Sequence, residues 1–159
     1  MSHSRIFKIQ SDMKEPYEEI SENDYYENGF IDGQHDYVES LSPENTKDAY
    51  EWLNTSHSRV WHVDEKNGKF YVTVRRHEIE AYLEKQWDLF RNEYYEPLKD
   101  RSSYAAKCCL GDPSGFYFDR PGWGYSTEFE TLEEIYKELI RTNSSEATFR
   151  LEGALDYHC

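Results

Sequence analysis

The residues whose types and spacing most clearly suggest a binding function are the acids and tyrosines between positions 22 and 39. Carboxylates attract cationic groups, and large amphipathic rings anchor protein interfaces. The members expected to contact a partner are Asp24, Tyr25, Tyr26, Glu27, Asp32, Asp36 and Tyr37. The pattern predicts a surface that holds a basic protein. The alternative is a solvated loop whose tyrosines fold back on the domain and whose acids pair with the chain's own arginines.

A second group of polar residues predicts a ligand pocket instead. His62 and Asp64 lie two residues apart, on one face of a predicted strand. Asp119, Arg120 and Trp123 share a loop that Gly and Pro residues stiffen. These side chains suit the few polar positions of a small-molecule site, so the alternative function is an enzyme or small-ligand-binding domain of unrecognised type. The simpler interpretation is an Asp–Arg pair that braces a turn while Trp123 covers the core.

The cysteines and histidines lack the spacing that a metal site or a nucleophilic pair requires. Cys108 and Cys109 are adjacent, without the two-residue separation by which paired thiolates reach a zinc ion. His158 and Cys159 are neighbours in a predicted strand and point to opposite faces. The chain also has no Gly-rich phosphate loop, no Gly-x-Ser-x-Gly elbow and no His-Glu-x-x-His helix. We therefore expect no metal and no cofactor, and we assign no catalytic residue.

The charge balance is strongly acidic and unevenly distributed. The 159 residues include 32 acids and 18 bases, which gives a net charge of −14. The first 54 residues carry 13 acids against four bases, whereas residues 55–107 carry nine acids and ten bases. Such a field repels nucleic acid and anionic membranes and attracts basic proteins. We therefore expect no direct nucleic-acid binding and no membrane association. The plainer alternative is that the charge only keeps the protein soluble.

The composition predicts one folded domain over residues 1–159. The chain has 4 Trp, 14 Tyr and 8 Phe, a richness in aromatic residues that disordered chains lack. No window approaches the roughly 18 apolar residues that a membrane span needs, and the first residues do not have the pattern of a signal peptide. Three cysteines, two of them adjacent, suit a reducing compartment. These features predict a cytoplasmic protein of undetermined oligomeric state.

Alternation of apolar and polar residues predicts the strands. The Asn67-Gly68 dipeptide predicts a hairpin over 59–75 with a two-residue type I′ turn. The alternative is a longer loop, because the two-residue turn places Lys66 opposite Lys69. Residues that pair across such a turn have numbers that sum to 135, which places Trp61 on the core face. A last strand over 147–158 is expected to bulge at Gly153. Simple alternation places Leu151 and Leu155 on one face of this strand, with Arg150 and Glu152 on the other.

Helical periodicity completes the predicted fold. Ser42-Pro43-Glu44 is a typical helix start, and the helix that follows is expected to bury Trp52. A longer helix over 77–96 has an apolar stripe with Trp87 at its buried centre. A capping box at Thr131 predicts the start of a third helix. The whole pattern predicts an α+β fold with an antiparallel or mixed sheet and about three helices packed mainly on one face.

Overall fold

The computed structural model describes residues 3–24, 37–56, 58–89, 91–92, 115–119 and 124–158. Within these residues the chain forms seven strands: β1 (His3–Gln10), β2 (Tyr37–Ser40), β3 (His62–Lys66), β4 (Lys69–Arg75), β5 (Gly115–Asp119), β6 (Tyr125–Thr127) and β7 (Glu146–His158). The same part of the chain contains three long helices: α1 (Pro43–Asn54), α2 (Arg76–Leu89) and α3 (Glu128–Arg141). The strands join in one mixed sheet, which confirms the predicted α+β class.

Strand β7 organises the sheet, whose order is β3-β4-β7-β1-β5-β6. Strand β1 pairs antiparallel with one edge of β7 and parallel with β5. The other edge of β7 is shared, because β4 pairs with residues 146–150 and β2 pairs with residues 155–158. Residues 151–154 therefore have no strand beside them on this edge within the described chain. This gap is where the candidate site lies.

The hairpin formed by β3 and β4 confirms the predicted register. His62 lies opposite Thr73 and Lys66 lies opposite Lys69, so the paired numbers sum to 135. Asn67 and Gly68 both have positive φ, 54° and 72°, as a type I′ turn requires. Trp61, just before β3, is buried against the core as expected. Local turn chemistry alone therefore determines how these two strands align.

The three helices pack on one face of the sheet, where they bury the main hydrophobic core. Its helical members include Leu53, Ile79 and Leu132, which contact sheet residues such as Phe7 and Val72. Helix α1 begins as predicted, with Ser42 as N-cap and Pro43 in the first turn. The main core therefore lies between the helices and this face of the sheet.

Several predicted details of the helices are wrong. Trp87 and Trp52 are exposed by 51% and 44%, because α2 and α1 turn neighbouring residues towards the sheet. The capping box that opens α3 is formed by Thr127 and Glu130, four residues before the expected start at Thr131. Glu128, at the first position of α3, is buried.

The opposite face of the sheet carries a second, smaller core. Its members are Ile6, Ile20, Val38 and Leu155. Leu151 belongs instead to the helix-side core, so the prediction that it shares a face with Leu155 is wrong. The predicted bulge at Gly153 is present, since the register between β1 and β7 shifts there and Gly153 has φ +91°. The extra residue of the bulge reverses the alternation that follows it.

Replacing Gly153 with alanine is expected to lower the free energy of unfolding by about 1–3 kcal/mol. The positive φ disfavours any Cβ, and a Cβ there would lie 2.7 Å from Glu19 Cγ and 3.0 Å from Ile20 Cγ2. Urea denaturation would measure the loss. Gly68→Ala is the matched control, because Gly68 also has positive φ but a Cβ there would meet nothing within 4 Å. Equal losses in the two variants would contradict the close approach at Gly153.

Candidate functional site

Residues 12–24, which we call the acidic segment, pass beside the gap at residues 151–154 of β7. They lie on the face of the sheet that carries the smaller core. The segment contains six acids and one base, Lys14. The side chains of residues 12–19 are all exposed, and Ile20 is the one fully buried member of the segment. Most of this segment therefore adds nothing to the core. Its exposed part consists of carboxylates, with Met13 and Tyr17 among them.

The backbone of the acidic segment is fixed by two buried cations. Arg150 Nη2 donates to the carbonyl oxygens of Glu15 at 2.9 Å and Pro16 at 3.1 Å. Lys8 Nζ donates to the carbonyl oxygen of Glu18 at 2.8 Å. The backbone N–H of Ile20 donates to the carbonyl oxygen of Glu152 at 2.8 Å, which fills part of the gap beside β7. The segment is thus held by its main chain.

A buried carboxylate, Glu152, holds these two cations in place. Lys8, Arg150 and Glu152 are exposed by only 4%, 3% and 0%. Glu152 Oε1 accepts from Arg150 Nε at 2.7 Å and also from Nη2, and Glu152 Oε2 lies 3.3 Å from Lys8 Nζ. We call these three residues the ion cluster. Glu152 balances one of its two positive charges, and the carbonyl oxygens of the acidic segment help to solvate the cations.

Two tyrosines border the ion cluster and stay protonated. Tyr50 Oη accepts a hydrogen bond of 2.8 Å from the backbone N–H of Gly153. Burial, with the nearby charges of Glu19 and Glu152, raises the pKa of Tyr50 well above its ordinary value despite that hydrogen bond. Burial and the charge of Glu19 likewise raise the pKa of Tyr17. Neither phenol is therefore ionised near neutral pH, so neither can act as a base. Tyr50 serves as a structural contact.

Two residues of the predicted partner surface are described: Asp24, which ends the acidic segment, and Tyr37. Asp24 Oδ2 accepts from the backbone N–H of Ser21 at 2.8 Å, and Glu22 Oε1 accepts from the backbone N–H of Ser40 in β2 at 3.0 Å. Tyr37 begins β2, opposite His158. The remaining predicted contact residues lie outside the described residues: Tyr25, Tyr26, Glu27, Asp32 and Asp36. Sequence reasoning overlooked residues 12–22, although their acidic excess was a visible signal.

The residues of the alternative pocket are not brought together where the structure describes them. His62 and Asp64 lie on β3 at one edge of the sheet, whereas Asp119 ends β5. Three strands separate β3 from β5, so the two are about 19 Å apart. Arg120 and Trp123 lie outside the described residues. A single pocket that contains both His62 and Asp119 is therefore not supported by this topology.

His62 and Asp64 have structural partners of their own. His62 Nε2 lies 2.6 Å from Glu78 Oε2, and Asp64 Oδ2 lies 3.0 Å from Lys66 Nζ. Burial would raise the pKa of Glu78, but the hydrogen bond and charge of His62, together with Arg75, hold it below its ordinary value. Glu78 is therefore charged at neutral pH. The contact between His62 and Glu78 links the hairpin to the first turn of α2.

The described part of the chain supports neither a metal site nor a membrane-spanning helix. Residues 3–24, 37–56, 58–89, 91–92, 115–119 and 124–158 contain no group of three or more His, Cys, Asp or Glu side chains placed to hold a metal ion. None of the helices in these ranges combines the length and apolar character needed to cross a membrane. Comparison of the chain with protein-family models, with curated protein sequences and with solved structures returned no match.

Proposed function

We propose that the protein is a non-catalytic cytoplasmic binding protein, of the inhibitor, immunity or nucleic-acid-mimic type, that holds a basic protein partner. Its binding surface combines the acidic segment with the acids and tyrosines of residues 24–37. The observation that carries the proposal is that the cations beneath the acidic segment contact its backbone carbonyls and leave most of its carboxylates to solvent. These carboxylates are available to a basic partner.

Most of the charge of the acidic segment is not neutralised by the described residues. Glu15 and Glu19 form no ion pair with any described residue, and Glu18 Oε2 lies 3.7 Å from Lys8 Nζ. Asp12 and Glu22 accept hydrogen bonds from backbone N–H groups, which leaves their negative charges in place. An uncompensated acidic patch steers a basic protein into encounter and raises the association rate.

The way the acidic segment is attached favours tight binding. Its main chain is already ordered by the ion cluster, so less conformational entropy is lost when a partner binds. Tyr17 is half exposed among the acids and has the type of ring that anchors protein interfaces. The carboxylates would accept from lysine and arginine side chains of the partner, in place of the phosphates that a nucleic acid would offer.

Capture of partners from a lysate of the source organism tests the proposal. The immobilised protein is expected to retain a basic protein at low salt, in stoichiometric amount, and to release it at high salt. Glu15→Lys with Glu19→Lys should lower this retention at least about tenfold, because close charge pairs dominate such interfaces. The same is expected of charge reversals at Asp24, Glu27 and Asp32.

The matched control reverses two exposed acids on the helices, Glu84→Lys in α2 with Glu134→Lys in α3. It changes the net charge by the same amount but leaves the acidic segment intact, so retention should be unchanged. Equal loss of retention in both double variants would show that only net charge matters and would overturn the proposed surface. A folded bait that retains no protein would overturn the proposed function.

A further inference from the structure

We propose that the acidic segment is a strap that opens and closes as a unit of its own, with the ion cluster as its latch. This inference rests on the proposed function for its biological consequence, because opening would disperse the carboxylates that the partner binds. The opening itself follows from how the segment is attached.

Opening of the strap exposes little apolar surface. The side chains of residues 12–19 are already in solvent, and Ile20 is the one apolar side chain of the segment that is fully buried. Regions with few buried apolar contacts open at a lower free energy than the core. The polar attachments of the strap include backbone hydrogen bonds to Arg150, Lys8 and Glu152. The Glu22 side chain adds one more, which it accepts from the backbone N–H of Ser40. They are the interactions that opening must break.

The rest of the sheet keeps its own interactions when the strap leaves. Arg150 and Glu152 both lie on β7, and the hydrogen bonds between their side chains do not involve the strap. Gly153 is held from the helix side by Tyr50 Oη. Strand β7 remains paired with β1 on one edge and with β4 and β2 on the other. Opening of the strap therefore does not require unfolding of the sheet.

When the strap opens, the two cations of the latch exchange backbone carbonyl oxygens for water. In the closed state, carbonyl oxygens of Glu15, Pro16 and Glu18 solvate the two cations. In the open state, water takes these positions and recovers the hydration that the buried cations had lost. A basic partner that binds only the closed strap would shift this equilibrium towards closure. The affinity of the protein would then depend on the fraction of closed molecules.

Hydrogen exchange of the full-length protein tests the separate opening without any variant. The amide of Ile20, which is bonded to Glu152, reports on the strap, and the amides of β4 and β7 report on the sheet. At urea concentrations below the unfolding midpoint, the Ile20 amide should exchange at least about tenfold faster than the most protected sheet amides. Its rate should also depend less on urea, because less surface is exposed. Equal rates and equal urea dependence would overturn the proposal.

Lys8→Met tests the latch, since it keeps the aliphatic stem and removes the donor to Glu18. We expect the Ile20 amide to exchange roughly ten- to a hundredfold faster, from the loss of one charge-assisted hydrogen bond. Lys137→Met is the matched control, because it removes the same charge from an exposed pair on α3. Similar acceleration in both variants would refute the latch. Neither exchange experiment involves a partner, so their outcome is independent of the proposed function.

Discussion

Replacing Trp61 with alanine is expected to lower the free energy of unfolding by about 3–5 kcal/mol. The side chain is 1% exposed, and its ring stacks on Phe116 with centroids 4.4 Å apart. Its Nε1 donates a hydrogen bond of 2.7 Å to Oε1 of the buried Glu128. The substitution therefore leaves a large cavity and removes a donor from a buried carboxylate. Urea denaturation followed by circular dichroism would measure the loss.

Two further variants separate the effect of the cavity from the effect of the lost hydrogen bond. Trp61→Phe keeps most of the ring volume and removes the donor, so a loss of about 1–3 kcal/mol would report the hydrogen bond to Glu128. Trp87→Ala is the matched control, because Trp87 is 51% exposed and sits near the end of α2. It should cost roughly 1 kcal/mol. A loss at Trp87 as large as that at Trp61 would mean that α2 buries the face that the apolar stripe predicted.

Glu152→Gln is expected to destabilise the protein by about 3–5 kcal/mol, because it removes the buried negative charge that Lys8 and Arg150 share. Lys8 Nζ lies 3.3 Å from one oxygen of Glu152, and Arg150 donates to the other through Nε and Nη2. A glutamine can accept from one cation but carries no charge to balance either. The midpoint of urea denaturation, followed by tryptophan fluorescence, would measure the effect.

The control for this loss is Glu134→Gln, which removes one carboxylate from an exposed pair with Lys137 and should cost less than about 1 kcal/mol. Lys8→Met combined with Glu152→Gln should recover part of the stability that Glu152→Gln loses, because one of the two cations that pair with Glu152 is then gone. Strictly additive losses in the double variant would contradict the coupling within the ion cluster.

Local chemistry explains the parts of the fold that could be predicted. The Asn67-Gly68 turn determines the hairpin register, since both residues tolerate positive φ and a two-residue turn leaves one alignment. Ser42 and Pro43 likewise determine the start of α1, where a side-chain oxygen caps a free backbone N–H. Each of these signals acts within a few residues of chain. None depends on what packs against the element.

Features that depend on distant residues could not be predicted in the same way. The apolar stripe of α2 is wider than the face that the sheet covers, so periodicity alone could not show that Ile79 is buried and Trp87 exposed. Lys8 alternates with Phe7 and Ile9, as a solvent-facing residue of an edge or surface strand does. It is buried because residues from the acidic segment cover that face of the sheet.

The amino-acid sequence by itself determined the fold class, the hairpin and the strong negative charge of the first 54 residues. These properties follow from composition and from contacts between near neighbours. Only the tertiary structure decided where that charge is displayed. It places Lys8 and Arg150 against carbonyl oxygens of the acidic segment and leaves Glu15 and Glu19 in solvent. The physical reason is that buried cations must be solvated, and the ion cluster meets that need with one buried carboxylate and the backbone of a distant segment.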